Sequence, residues 1–248
     1  MKQSSNSEDI SARVEGIVAR LEKTADKKTT AGMSRVGIDP DRALGVKVPR
    51  LRELGKEIGT DHELALALWD RGLRETMILA SLVADPKLTT IELMESWALD
   101  FYDWEVCDQA CANLFEKPPL TESAYSLARQ WGGRTEEYVK RAGFVLMARL
   151  AVSDKKAPDD VFYPFFEDIV REGDDGRNAV KKSINWALRQ IGKRNLSLRE
   201  RAVETARDLQ ERGTPAARWI ASDALRELNS TAVIDRLTER EERKRGAR

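Results

Sequence analysis

The chain has 248 residues, 41% of them hydrophobic and 34% charged, with 42 basic and 42 acidic side chains and a formal net charge of +0. This balance excludes a disordered chain and leaves enough apolar residues for a sizeable core. It also excludes a bulk basic character, so any nucleic-acid surface must come from local segregation of charge.

The N-terminal residues Met1 to Asp9 lack the apolar segment of a secretory signal, and no uncharged apolar run is long enough to span a bilayer. A cytoplasmic protein without a membrane partner is expected. Helical spacing begins with Ile10, Val14, Ile17, Val18 and Leu21. Pro49 suits the first turn of a helix carrying Leu51, Leu54 and Ile58. Asp61 is placed to cap a helix carrying Leu64, Leu66, Leu68 and Trp69. His62, the only histidine, lies at that helix start. A surface or capping role is expected for it. With one histidine, His-rich metal sites are excluded, and a Ser–His–Asp arrangement would have to run through His62 alone.

A helix over 74–83 ends at Ala84-Asp85-Pro86, and Thr89 or Thr90 starts the next. The period predicts further helices over 103–116, 121–131, 135–152, 159–172, 176–195, 197–212, 214–228 and 230–240. Cys107 and Cys111 share a face of the first of these. Without two further ligands nearby they suit a core better than zinc, and two cysteines exclude a disulfide framework and fit a reducing compartment. No metal and no cofactor are expected.

The breaks between helices are short, as at Pro118-Pro119, Gly132-Gly133 and Gly213-Thr214-Pro215, which favours antiparallel neighbours. No long linker interrupts them, so a single domain over 1–240 is expected, followed by a solvated tail over 241–248. A weak repeat is also present. The segments around Arg141, Lys182 and Arg218 resemble one another, 41 and then 36 positions apart. That spacing suits an all-α, HEAT-like array, a curved stack of antiparallel helix pairs with the recurring basic residue on an inner surface. The alternative is an ordinary helical bundle.

Charge is unevenly distributed along this array. Between Gly176 and Arg199 there is no Asp or Glu, while Arg177, Lys181, Lys182, Arg189, Lys193, Arg194 and Arg199 are basic. Lys182, Trp186, Arg189 and Lys193 fall on one helix face, which suits a phosphate backbone with an aromatic for a sugar or base. A solvated face with a core tryptophan is the plainer reading. In Asp103-Trp104-Glu105-Val106-Cys107-Asp108, Trp104 and Asp108 share a face. A carboxylate beside a tryptophan suits a catalytic pair, or simply a buried aspartate.

These residues, in this order, resemble the AlkD-type alkylpurine DNA glycosylases, a family of HEAT-like repeat proteins. The likeness runs from about Leu44 to Leu228 and is carried by Trp104-x-x-x-Asp108, by Lys140-Arg141-Ala142-Gly143, and by Trp186-Ala187-Leu188-Arg189 with Lys193. The resemblance implies removal of N3- or N7-alkylated purines from duplex DNA by a monomer, without metal or cofactor. It implies Asp108, Trp104, Arg141 and Trp186 as catalytic residues, converging on a shallow concave cleft. Lys140, Lys181, Lys182, Arg189, Lys193 and Arg218 are the expected DNA contacts. Two other readings stand beside it: a non-catalytic HEAT-like module for DNA or structured nucleic acid, and a protein-interaction scaffold.

Overall fold

The computed structural model describes residues 2–246, and their side chains from Glu8 onward except that of Lys244. Among the described residues every regular element is helical, and no helix is long and apolar enough to cross a membrane. Within the span expected as one domain, the helices pack as two compact units, Met1–Leu120 and Thr121–Arg248, which meet in sequence just after Pro118-Pro119.

In the first unit, α1 (Lys2–Lys23) buries the predicted row Val14, Ile17, Val18 and Leu21. The short α2 (Lys27–Met33) has no apolar period to announce it. It is held by Asp26, whose carboxylate accepts the Lys28 N–H at 2.9 Å and the Thr29 hydroxyl at 2.6 Å. Pro49 lies in the first turn of α3 (Val48–Ile58), where a missing N–H costs no helical bond. Asp61 caps α4 (His62–Asp70) by accepting the Leu64 N–H at 3.1 Å. After α5 (Arg74–Val83), Thr90 caps α6 (Ile91–Leu99) through the Leu93 N–H at 3.2 Å. The predicted helix over 103–116 is α7 (Trp104–Ala110), continued by a wider π turn over Cys111–Phe115.

Helices α3, α5 and α7 pack in a row, with α4 against α5 and α1 against α4. Trp69 of α4 stacks on Trp97 of α6 with ring centroids 3.9 Å apart, and its indole donates to Asp100 at 2.9 Å. The head of α5 is a buried ion cluster. Glu75 accepts the backbone N–H groups of Leu44, Gly45 and Val46 at 2.9, 3.0 and 3.1 Å. Arg74 donates to Glu75 at 2.7 Å, to the Val46 carbonyl at 3.0 Å and to Glu105 of α7 at 2.8 Å. The 44–46 loop, α5 and the first turn of α7 are thereby locked together. Gly45 makes the loop feasible: its φ is +80°, and a Cβ there would lie 2.5 Å from the Asp26 carbonyl.

The second unit contains α8 (Thr121–Gly132), α9 (Glu137–Ser153), α10 (Tyr163–Glu172), α11 (Asn178–Gly192), α12 (Leu196–Arg212), α13 (Pro215–Leu228) and α14 (Thr231–Gly246). Helices α9, α11 and α13 form one row, and each packs against the helix before it in sequence. Arg141, Lys182 and Arg218 all fall within the first five residues of a row helix, so the repeat read from the sequence is a repeat of helix pairs. Helices α8 and α9 approach unusually closely. A Cβ on Gly143 would stand 2.3 Å from the Gly132 nitrogen and 2.7 Å from the Ala128 carbonyl. Residues 241–246, expected as a tail, extend α14 and are tied to it by the Glu239–Arg243 and Glu241–Arg245 ion pairs; 247–248 lie outside the described residues.

Candidate nucleic-acid interface

In the first unit the site is built on α7. Asp103, just ahead of the helix, is buried and accepts the N–H groups of Glu105 and Val106 at 2.8 and 2.9 Å. Burial outweighs these two donors and holds its carboxyl above the ordinary range. Tyr102 packs under the Arg42 guanidinium, 3.5 Å from its ring centroid, and its hydroxyl donates to the Arg42 carbonyl at 3.4 Å.

Trp104 opens the helix, half-buried, with its indole N–H donating to the Val36 carbonyl at 2.8 Å. Asp108 follows one turn later, also half-buried, on the same face of α7. Cys107 and Cys111 are turned into the core. The helix therefore fixes its cysteines inward and leaves the face shared by Trp104 and Asp108 partly open.

In the second unit the expected contacts separate into two groups. Lys140, expected to contact DNA, is buried, with its ammonium 2.6 Å from Glu172 and 3.3 Å from Asp175. Burial pushes both carboxyls up, but Lys140, Arg171 and Arg177 outweigh it and hold both below the ordinary range. Arg141 is buried as well, and its guanidinium donates to the Ala179 carbonyl at 2.6 Å, joining α9 to the start of α11.

Arg189 and Lys193 were expected in an open basic stripe. The structure corrects this: α13 brings Asp223 and Glu227 against them. Lys193 lies 2.5 Å from Glu227, and Arg189 pairs with the same carboxylate and lies 3.4 Å from Asp223. The 176–199 run lacks acids in sequence but not in space. Trp186, half-buried, keeps its place between Lys182 and Arg189 on α11.

Lys182 and Arg218 remain exposed, and Lys181 holds its ammonium 4.9 Å above the ring of Trp219. Trp219 is 40% exposed, unusual for so large an apolar ring. Sequence reasoning passed over it, because residue type alone assigns a tryptophan to the core. Its position beside the repeated Arg218 was the available signal. Lys181, Lys182, Arg218 and Trp219 thus form a cationic, aromatic-bearing patch at the start of α11 and α13, of the kind that grips a phosphate backbone and stacks on a sugar or base.

The sequence model of the DNA alkylation repair enzyme family matches residues 17–228. Among solved structures, the chain is similar to a protein described as "A new family of proteins related to the HEAT-like repeat DNA glycosylases with affinity for branched DNA structures". The two are 21% identical, the match covers 78% of this chain and 82% of that one, and the TM-score is 0.65. Among curated proteins no sequence match is found. The structural likeness identifies the fold as HEAT-like helical repeats. With the family model covering α2 to α13 and the last turns of α1, this chain belongs to the DNA alkylation repair enzyme family.

Proposed function

We propose that the chain is a DNA N-glycosylase that releases N3- or N7-alkylated purines from duplex DNA. The observation that carries this reading is the Trp104–Asp108 pair on one half-exposed face of α7, within the span matched by the repair-enzyme family. Alkylation at N7 or N3 makes the purine cationic, so the C1′–N9 bond breaks with its electron pair leaving on the base. The neutral alkylpurine departs without a general acid. The sugar passes through an oxocarbenium-like state, and water adds at C1′ with loss of a proton, leaving an abasic site. Asp108 supplies the negative charge that stabilises this state and orients the water. Trp104 offers its ring to the sugar. Arg141 and Trp186 are assigned to the DNA backbone on the strength of the resemblance. Lys181, Lys182, Arg218 and Trp219 hold the duplex.

The test is single-turnover release of N7-methylguanine or N3-methyladenine from methylated duplex. Asp108→Asn is expected to slow release by about 10²-fold or more, while duplex affinity stays within a factor of about two. No release by the wild-type protein would overturn the reading.

A second reading is supported by the description of the similar structure, which reports affinity for branched DNA. It makes the chain a non-catalytic binder of DNA junctions. Salt-dependent binding that prefers a four-way junction to linear duplex, and that ignores both alkylation and Asp108→Ala, would favour it.

A further inference from the structure

A groove of about 540 Å³ lies where α14 crosses the C-terminal ends of α9 and α11. Lys155, Lys193, Arg194, Arg236, Arg240 and Arg243 line it, against the acidic Asp159 and Glu239. Part of this charge has a structural use. Arg194 donates to the carbonyls of Ala151, Asp154 and Ala157 and packs 4.2 Å from the Phe162 ring centroid. Arg240 donates to the Arg194 carbonyl at 3.2 Å, and Lys193 is paired with Glu227.

Arg243 pairs with Glu239 one turn back at 3.1 Å, on a largely exposed face of α14, and the other two cations have no such use. Lys155 and Arg236 are exposed, and among the described residues neither side chain has an ion pair or hydrogen bond. Arg236, Arg240 and Arg243 stand at i, i+4 and i+7, so α14 turns one row of guanidinium groups into the groove. Leu237 and Val233, both buried, fix that rotation.

The groove is open, and a second, smaller hollow continues it past Asn195, Leu237 and Arg240 along the same helix. That shape suits an extended polyanion better than a single phosphate. No aromatic side chain lines either hollow, so neither offers a stacking platform for a base. Guanidinium forks match phosphate oxygens in geometry.

We propose that this groove is a second DNA-binding site, one that takes a phosphodiester backbone. It is distinct from the patch around Lys181 and Trp219. Lys193, just past the end of α11, lies twelve positions after Lys181, about 18 Å at the helical rise. The proposal rests on DNA being the partner, and not on base release.

The test is duplex binding by the full chain against salt concentration, with the Lys155→Ala/Arg236→Ala/Arg243→Ala variant. Relative to wild type, affinity at low salt is expected to fall by about tenfold or more, and the slope of log K against log salt to become shallower by about 2 to 3. Thermal melting, and release from methylated duplex at saturating protein, should stay unchanged. If the triple variant folds poorly, the exposed single variants Lys155→Ala and Arg236→Ala should each reduce the slope by about 1.

Wild-type affinity and slope in these variants would overturn the groove while leaving the DNA reading intact. Absence of any duplex binding by wild type would overturn both. Competition by a polyglutamate peptide as effective as that by duplex would also overturn the proposal, because it would make the groove a site for acidic peptides.

Discussion

Lys140 and Lys182 are both basic residues of the repeat, yet they do opposite things. Lys140 is buried between Glu172 and Asp175, whereas Lys182 is exposed. Truncating Lys140 would take one cation from two partly buried carboxylates that keep Arg171 and Arg177, so Lys140→Ala is expected to cost about 1 to 2 kcal/mol of stability. Lys182→Ala is expected to change stability by less than about 0.5 kcal/mol. It should instead weaken duplex binding and reduce the salt slope by about 1. Urea denaturation and duplex titration on the two variants separate these roles. Trp219→Ala belongs with Lys182: removing a stacking ring should weaken duplex binding by about tenfold with little loss of stability.

At the scale of the element, α7 depends on its cap. Asp103 satisfies two N–H groups in the first turn, and the same turn holds Trp104 and, one turn on, Asp108. Asp103→Ala is expected to cost about 1 to 2 kcal/mol and to slow base release, because the turn that aims both side chains frays. Asp103→Asn keeps an oxygen for the cap without burying a carboxylate, so it should restore most of both. The measurement is thermal melting alongside single-turnover release. The α8–α9 contact is equally specific. Gly143→Val drives side-chain atoms into the α8 backbone at Ala128 and Gly132, and is expected to destabilise by at least about 2 kcal/mol in denaturant titration.

Across the whole chain, acidic and basic residues cancel in number, and stability depends on how they pair. Glu172, Asp175 and Glu227 have folded values held below the ordinary range; for each, partner cations outweigh the upward push of burial. A depressed carboxyl stabilises the fold above its unfolded value, and that stability is lost as pH falls through the folded value. Asp103, held above the ordinary range, contributes in the opposite sense, its share being lost as pH rises. Asp61 and Glu136 are held low as well, so depressed carboxyls outnumber Asp103 and set the net direction: stability should fall below about pH 4. In urea titrations over a pH series, Glu227→Gln should flatten this acid limb.

Helix positions were legible in the sequence because their causes are local. The apolar rows of α1 and α3, the caps at Asp61 and Thr90, and the repeated segments around Arg141, Lys182 and Arg218 all act within a few residues of chain. The Trp104–Asp108 face was legible for the same reason, since a four-residue spacing fixes a shared face. What α2 and the π turn after α7 would do was not written in any period.

Charge and exposure were decided only by the tertiary structure. Glu227 is 38 positions from Arg189 and 34 from Lys193, yet it pairs with both, because packing brings α13 against α11. The same packing buries Lys140 and leaves Trp219 open. The sequence by itself determined a helical repeat bearing a tryptophan–aspartate pair. Which of its cations face solvent, and so are available to a phosphate backbone, depended on contacts between helices. Coulomb interactions follow distance in space, and spacing along the chain does not report it.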